Sequence, residues 1–116
     1  MEPVDLAEAL AGLRGPWRPR TVATVNHHAL RVVRALGEFS WHSHPDTDEL
    51  FFVLSGILSI QTEAGEVRIG PGRLHVVPMG VRHRPSSAEG ADVLLFEPES
   101  TVNTGDSPGP LTAPPE

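Results

Sequence analysis

Between Thr21 and Pro98 the chain repeats one pattern: five to eight residues rich in Val, Ile, Leu and Phe, then a break at Gly, Pro or Asn. The runs are TVATV (21–25), ALRVVRAL (29–36), EFSWHSH (38–44), LFFVLSG (50–56), ILSIQTE (57–63), EVRIG (66–70), LHVVP (74–78) and DVLLFEP (92–98). Runs this short, at this spacing and rich in β-branched residues, predict an all-β fold, a sandwich or small barrel of antiparallel strands. Glu63 to Val67 reads as a hairpin turn with its glycine at Gly65, and Ile69 to Gly72 as a second tight turn. Before Thr21 the period changes. Leu6, Leu10 and Leu13 recur at helical spacing, with Asp5 and Glu8 near the positive end of the dipole. This predicts a short helix over 4–13, ended by Gly15 and Pro16. After Pro98 periodicity vanishes into a stretch rich in Pro, Gly, Ser and Thr. The pattern therefore divides the chain into a helix and lead-in (1–19), a β domain (20–98) and an extension (99–116). The extension is expected to be partly disordered: its first part can pack back on the domain, and from about Ser107 the tail is expected to be mobile. No internal repeat suggests a second domain.

Composition narrows the chemistry. A chain of 116 residues suits one domain with its own core. It has no cysteine, which excludes disulfides, thiolate metal sites and cysteine nucleophiles, and agrees with a cytoplasmic location. The N-terminal MEPVDLAEAL lacks a basic region and is not expected to be a signal peptide. No apolar run approaches the roughly 20 residues of a membrane span. The formal net charge is −6 and the pI about 5.4, which argues against nucleic acid or an anionic membrane as partner. All nine basic residues are arginine, so lysine chemistry is excluded as well.

The chemistry concentrates in WHSHPDTDELFFVLSG, Trp41 to Gly56. His42 and His44 are two apart, so on a strand both side chains leave one face. Pro45 and Asp46 interrupt the strand, and Glu49 opens the next apolar run. Further along, in GRLHVVPMGVRH, a strand ends at Pro78, Gly80 permits a turn, and His83 starts the return. If the two segments face each other across a small barrel, three imidazoles and one carboxylate converge. Such a set suits Zn, Ni, Cu, Fe or Mn better than the oxygen shells that Ca and Mg prefer. A lone histidine on an apolar strand is more often a hydrogen-bonded core residue, and the combined spacing is what carries the reading.

Gly37–x4–His42–x–His44–x4–Glu49–x6–Gly56 resembles the first motif of the cupin superfamily, and Gly72–x5–Pro78–x–Gly80–x2–His83 resembles the second. One residue fewer than usual separates Gly37 from His42, and Ser87 stands where an asparagine often closes the second motif. Neither departure touches a ligand position. The ending LLFEPESTVNTGD is similar to small single-domain bacterial cupins of the cupin 2 group, labelled mannose-6-phosphate isomerase-like. The resemblance implies a small antiparallel β-barrel, the double-stranded β-helix of jelly-roll type, with the short N-terminal helix outside it. It also implies one divalent transition metal per chain (Fe, Mn, Zn, Ni or Cu), held by His42, His44, Glu49 and His83, and a homodimer.

The function so implied is a metal-dependent small-molecule enzyme: a dioxygenase, an isomerase or epimerase, or a lyase or cyclase, of the kinds that secondary metabolism includes. The alternative is a non-catalytic cupin that binds or senses a small ligand. Glu49 is the candidate catalytic residue, because its charge sets the Lewis acidity of the ion. Phe51 and Val53 share alternation with Glu49 and are expected to line the substrate pocket with Val77. His75 alternates with Val77, so it either shares that inner face or takes a backbone partner. Arg82 and Arg84 flank His83 and should point away from it. His27 and His28 fall in an exposed turn, Trp41 faces outward as a dimer contact, and Glu97 is either near the cavity or at its rim.

Overall fold

The computed structural model describes residues 2–116. Helix α1 is Leu6–Ala11, followed by strands β1 (Arg20–Val25), β2 (His28–Glu38), β3 (Glu49–Gly56), β4 (Leu58–Thr62), β5 (Gly65–Ile69), β6 (Leu74–Val77) and β7 (His83–Pro98). The Asp5 side chain caps α1 by accepting from the Glu8 amide at 3.2 Å, and the helix closes at Gly12. It is shorter than the leucine spacing predicts, since Gly12 stops it before Leu13 and no residue of it is fully buried.

All strand pairs are antiparallel, in the order β1-β2-β7-β3-β6, with β4 joining β5 and β7 off that path. The longest strand, β7, serves both layers. Its first part, His83 to Ser86, pairs with β4, and its second part, from Ala91 on, runs between β2 and β3. The change comes at Gly90, whose φ is +101°, opposite a register shift between Ala35 and Gly37 of β2. The result is a jelly-roll-like sandwich, the open form of the antiparallel jelly-roll architecture expected. A strand that must turn from one layer to the other leaves the edges β1, β5 and β6 unjoined.

Alternation explains the interior. Along β3 the inward positions are Glu49, Phe51 and Val53, and along β7 they are His83, Pro85, Ser87, Ala91, Val93, Leu95 and Glu97. The apolar members pack with Trp17, Val33, Phe39, Leu58, Ile60, Ile69 and Val77 into one core. The ionisable members, Glu49, His83 and Glu97, stand at the strand ends, so they gather beyond one end of that core. Residues 39–44, expected as a strand, form only one bridge pair, His42 with His83. Conversely, residues 83–91 extend β7 where small polar residues gave no strand signal.

The extension packs back onto the domain. It is docked along its length: Asn103 donates to the Trp17 and Leu111 carbonyls, buried Thr104 meets Thr112 at 2.7 Å, and Glu116 exchanges backbone hydrogen bonds with Pro19 and Thr21. Among the described residues no helix is long and apolar enough to cross a membrane.

Gly56 holds the crossing of β3 and β7. Its φ is +78°, and an added Cβ would collide with the Gly90 carbonyl oxygen and lie 2.8 Å from Ala91 Cα. Gly56→Ala therefore adds both backbone strain and overlap, and should destabilise the fold by about 2–4 kcal/mol. Urea unfolding checks this, and a loss below about 0.5 kcal/mol, the scale of an ordinary surface substitution, would contradict it.

Candidate metal centre

Three chain segments supply the site. The loop after β2 brings His42 and His44, the first residue of β3 is Glu49, and the first of β7 is His83. Paired backbone bonds between His42 and His83, at 3.0 and 2.8 Å, lock the loop onto β7. All four side chains are buried, at 0–5% exposure. One ligand atom from each can be chosen so that all lie within 4.8 Å of one another.

Hydrogen bonding orients the rings. His42 Nδ1 lies 2.9 Å from the Ser40 carbonyl oxygen, and His83 Nδ1 lies 2.9 Å from that of Val81. A carbonyl only accepts, so each Nδ1 carries the proton and each Nε2 presents its lone pair. His44 Nε2 and His83 Nε2 approach Glu49 Oε1 at 3.3 and 3.5 Å, yet among the described residues neither has a hydrogen-bond partner although both are buried. Buried lone pairs without hydrogen bonds are costly, and a cation between them and Glu49 would satisfy them together. The donor set thus fits a divalent transition ion.

Electrostatics point the same way. Burial lowers the His42 pKa to about 4, which keeps the ring neutral, the form that ligates. Burial alone would raise Glu49. The neighbouring imidazoles of His44 and His83, with Glu97, outweigh it and hold this carboxyl below the usual range. Glu97 moves the opposite way: burial, then the adjacent Glu49, push it up to about 9 against the pull of Arg31. Arg31 Nη1 donates to Glu97 Oε2 at 2.6 Å, and both side chains are almost wholly buried. Arg31 and the two carboxylates are therefore one unit, in which the carboxyl pair retains a proton at neutral pH and Glu97 is its main holder.

A cavity of about 30 Å³ adjoins His42 and Glu49, walled by Trp17, Pro19, Val33, Phe39, Phe51, Pro85, Leu95 and Asn103. Trp17 is held there with φ at +61°, by its amide and indole N–H donating to the Arg34 and Leu36 carbonyls. Of the residues expected to line a pocket, Phe51 does so. Val53 and Val77 are packed in the core and do not border this cavity, and His75 is half-exposed and outside the four-residue cluster. For the two β6 residues the reason is position at the sheet edge, although they share the inward face of their β3 partners. Val77 pairs with Glu49 and His75 with Phe51, on a β6 strand that lies at the sheet edge.

The remaining candidates sort by alternation. Arg82 and Arg84 turn away from the site and lie over the Trp41 ring, at 5.8 and 5.5 Å, leaving Trp41 half-covered. His27 and His28 are exposed. Glu97 is no rim residue, being 2% exposed against Glu49. Sequence reasoning missed Arg31, although Ala29, Arg31, Val33 and Ala35 share one inward face and a guanidinium there requires a buried anion.

The cupin domain family matches residues 30–98, more than half of the chain. The chain belongs to that family. It is 38% identical over 68 residues to the uncharacterised protein YdbB of Bacillus subtilis (strain 168), a match covering 58% of this chain and 60% of that relative's length. A cupin-2 domain protein from Shewanella frigidimarina NCIMB 400 superposes with a TM-score of 0.80 at 33% identity, covering 82% of this chain and 93% of the other. Hydroquinone 1,2-dioxygenase PnpCD, solved with Cd2+ and 4-hydroxybenzonitrile, shares the fold at a TM-score of 0.71 and 17% identity, over 93% of this chain and 74% of that one.

The carboxyl pair generates a pH prediction for the metal-free protein. The unfolded chain releases the Glu97 proton near 4.5, whereas the folded chain keeps it to about 9. Between those values the folded state binds more protons, so stability falls as pH rises. Glu97→Gln cannot release a proton and should flatten that slope. Urea unfolding of both proteins from about pH 6 to 8.5 reads it, and equal slopes would contradict the assignment.

Proposed function

We propose that this cupin-domain protein is a metal-dependent enzyme acting on a small, largely apolar molecule, with dioxygenase chemistry ahead of isomerase or lyase chemistry. The observation that carries the reading is the pair of unpartnered buried Nε2 atoms facing Glu49, beside an apolar cavity. His42, His44, Glu49 and His83 would hold the ion, which would supply Lewis acidity or dioxygen activation. Glu49 sets the charge at that point. Phe39, Phe51, Leu95 and Trp17 exclude water and receive the apolar part of a substrate. No arginine borders the cavity, and Arg31 is committed to Glu97, Glu99, Thr101 and Thr21, which disfavours a sugar phosphate. As it stands the cavity suits water-sized occupants, so a ring enters only with outward movement of the Trp17 or Asn103 wall. The fold likeness to a hydroquinone dioxygenase makes hydroquinones a first substrate panel. The absence of cysteine supports a cytoplasmic setting.

His44→Ala and His83→Ala should each lower metal stoichiometry sharply in untagged protein, and abolish any oxygen uptake with that panel. Chelation should leave the β-sheet circular dichroism intact, since the strands are joined without the ion. Full metal retention in both variants would sink the reading. Cooperative melting on chelation would make the site structural, and metal binding without turnover would favour a ligand-binding role.

The proposal includes a homodimer, but through a different face from Trp41, which Arg82 and Arg84 cover. The outer side of the sheet carries two uncharged cross-strand rows, Leu30, Phe96, Leu50, Val76 and then Leu94, Phe52, Leu74. Leu74 and Val76 are 58% and 40% exposed. Two adjoining apolar rows suit a second copy of the same face. Sedimentation should show a dimer that Leu74→Arg converts to monomer. A wild-type monomer at tens of micromolar, a concentration set by ordinary interface affinities, would refute it.

A further inference from the structure

The family match ends at residue 98, yet the segment beyond it grips the loop that carries two of the four ligands. Ser43 lies between His42 and His44. Its amide donates to Asp106 Oδ1 at 2.7 Å, its hydroxyl donates to Asp106 Oδ2 at 2.9 Å, and its carbonyl accepts from the Asp106 amide at 3.0 Å. The three bonds engage every polar group that Ser43 has.

Gly105 completes the contact. Its φ is +54°, and an added Cβ would overlap the Ser43 carbonyl oxygen and sit 3.1 Å from His44 Nδ1. The backbone of the extension therefore passes close to the His44 ring, with no room between them for a side chain. His42 and His83 have their Nδ1 atoms fixed by carbonyls two residues earlier, while no such bond to His44 Nδ1 occurs among the described residues. Packing against Gly105 takes its place.

A brace must itself be rigid. Gly105 N donates to Val102 O at 2.9 Å and Ser107 N to Thr104 O at 2.9 Å, which makes 102–107 a pair of tight turns. Arg31 holds its upstream end through the Glu99 and Thr101 carbonyls, at 2.6 and 3.0 Å. Asn103 holds its downstream side by accepting from the Ala113 amide.

We propose that Gly105 and Asp106 are positioning residues of the metal centre, fixing the Ser43 backbone so that the His42 and His44 rings meet His83 and Glu49. The inference rests on the metal reading above and assigns a role to a segment outside the family match. Outer-shell groups that orient ligands contribute about 10–100-fold to metal affinity when removed.

The test uses the full chain, stripped of metal and titrated with Co2+ against a chelator of known affinity. Asp106→Ala should weaken Co2+ binding about 10–100-fold and alter the visible Co2+ spectrum, while the apo protein keeps its circular dichroism. Asp106→Asn keeps an acceptor for the Ser43 amide and should recover much of the affinity and the spectrum. A purely stabilising contact would lower the urea midpoint without changing the spectrum. Should Asp106→Ala fail to fold, Gly105→Ala, which pushes on Ser43 and His44, is read by the same criteria. Co2+ affinity within twofold of wild type with an unchanged spectrum overturns the inference alone. A wild-type protein that takes up neither Co2+ nor Zn2+ overturns the metal reading and this inference with it.

Discussion

Two backbone hydrogen bonds join His42 to His83, and the convergence of the site depends on them. They dock the loop after β2 onto the first residue of β7, so two ligand-bearing segments become neighbours before any side chain is considered. From that point alternation does the rest. With His83 facing inward, Pro85 and Ser87 face inward too, and beyond the bend at Gly90 the same face ends at Glu97. The partner strand β3 presents Glu49 at its start and its apolar residues after it. Core and site are one inward surface, apolar in the middle and polar at one end.

That polar end concentrates charge where water is scarce. Three imidazoles, two carboxyls and a guanidinium are all at most 5% exposed. Isolated, each charged form would be expensive, so the groups share protons and hydrogen bonds. The carboxyl pair retains one proton, held mainly by Glu97, Arg31 offsets the charge that remains on the pair, and burial keeps His42 neutral. The guanidinium also reaches the Glu99 and Thr101 carbonyls, so the same residue that balances charge inside the sheet anchors the chain outside it.

Most of the β architecture was legible because it rests on local pattern: turn glycines, the 63–67 hairpin and the apolar runs other than 39–44 correspond to strands and turns that form. The four ligand candidates were legible from residue type and spacing, which survive even though 39–44 is not a regular strand. What escaped depends on distant partners. The SSAEG stretch becomes strand only because β2 and β4 bind it. Arg31 looks like a surface residue until Glu97, 66 positions away, is brought beside it. The extension shows only prolines and glycines to a local reading, and its contacts with Trp17, Ser43 and Pro19 are ones that no local rule anticipates.

The double duty of β7 has a consequence for the order in which the molecule can be made. A ribosome releases β1 to β6 first, and none of the longest pairings can close until β7 emerges to fill the slot between β2 and β3. Until then the outer rows of β3 and β6 lack their central neighbour, and the His42–His44 loop has nothing to dock on. Contacts of such sequence separation make for slow folding and a long interval of exposed strand edges. The nascent chain therefore depends on its last third to become a protein at all, and a ribosome stalled before His83 would leave an aggregation-prone fragment rather than a partly working cupin.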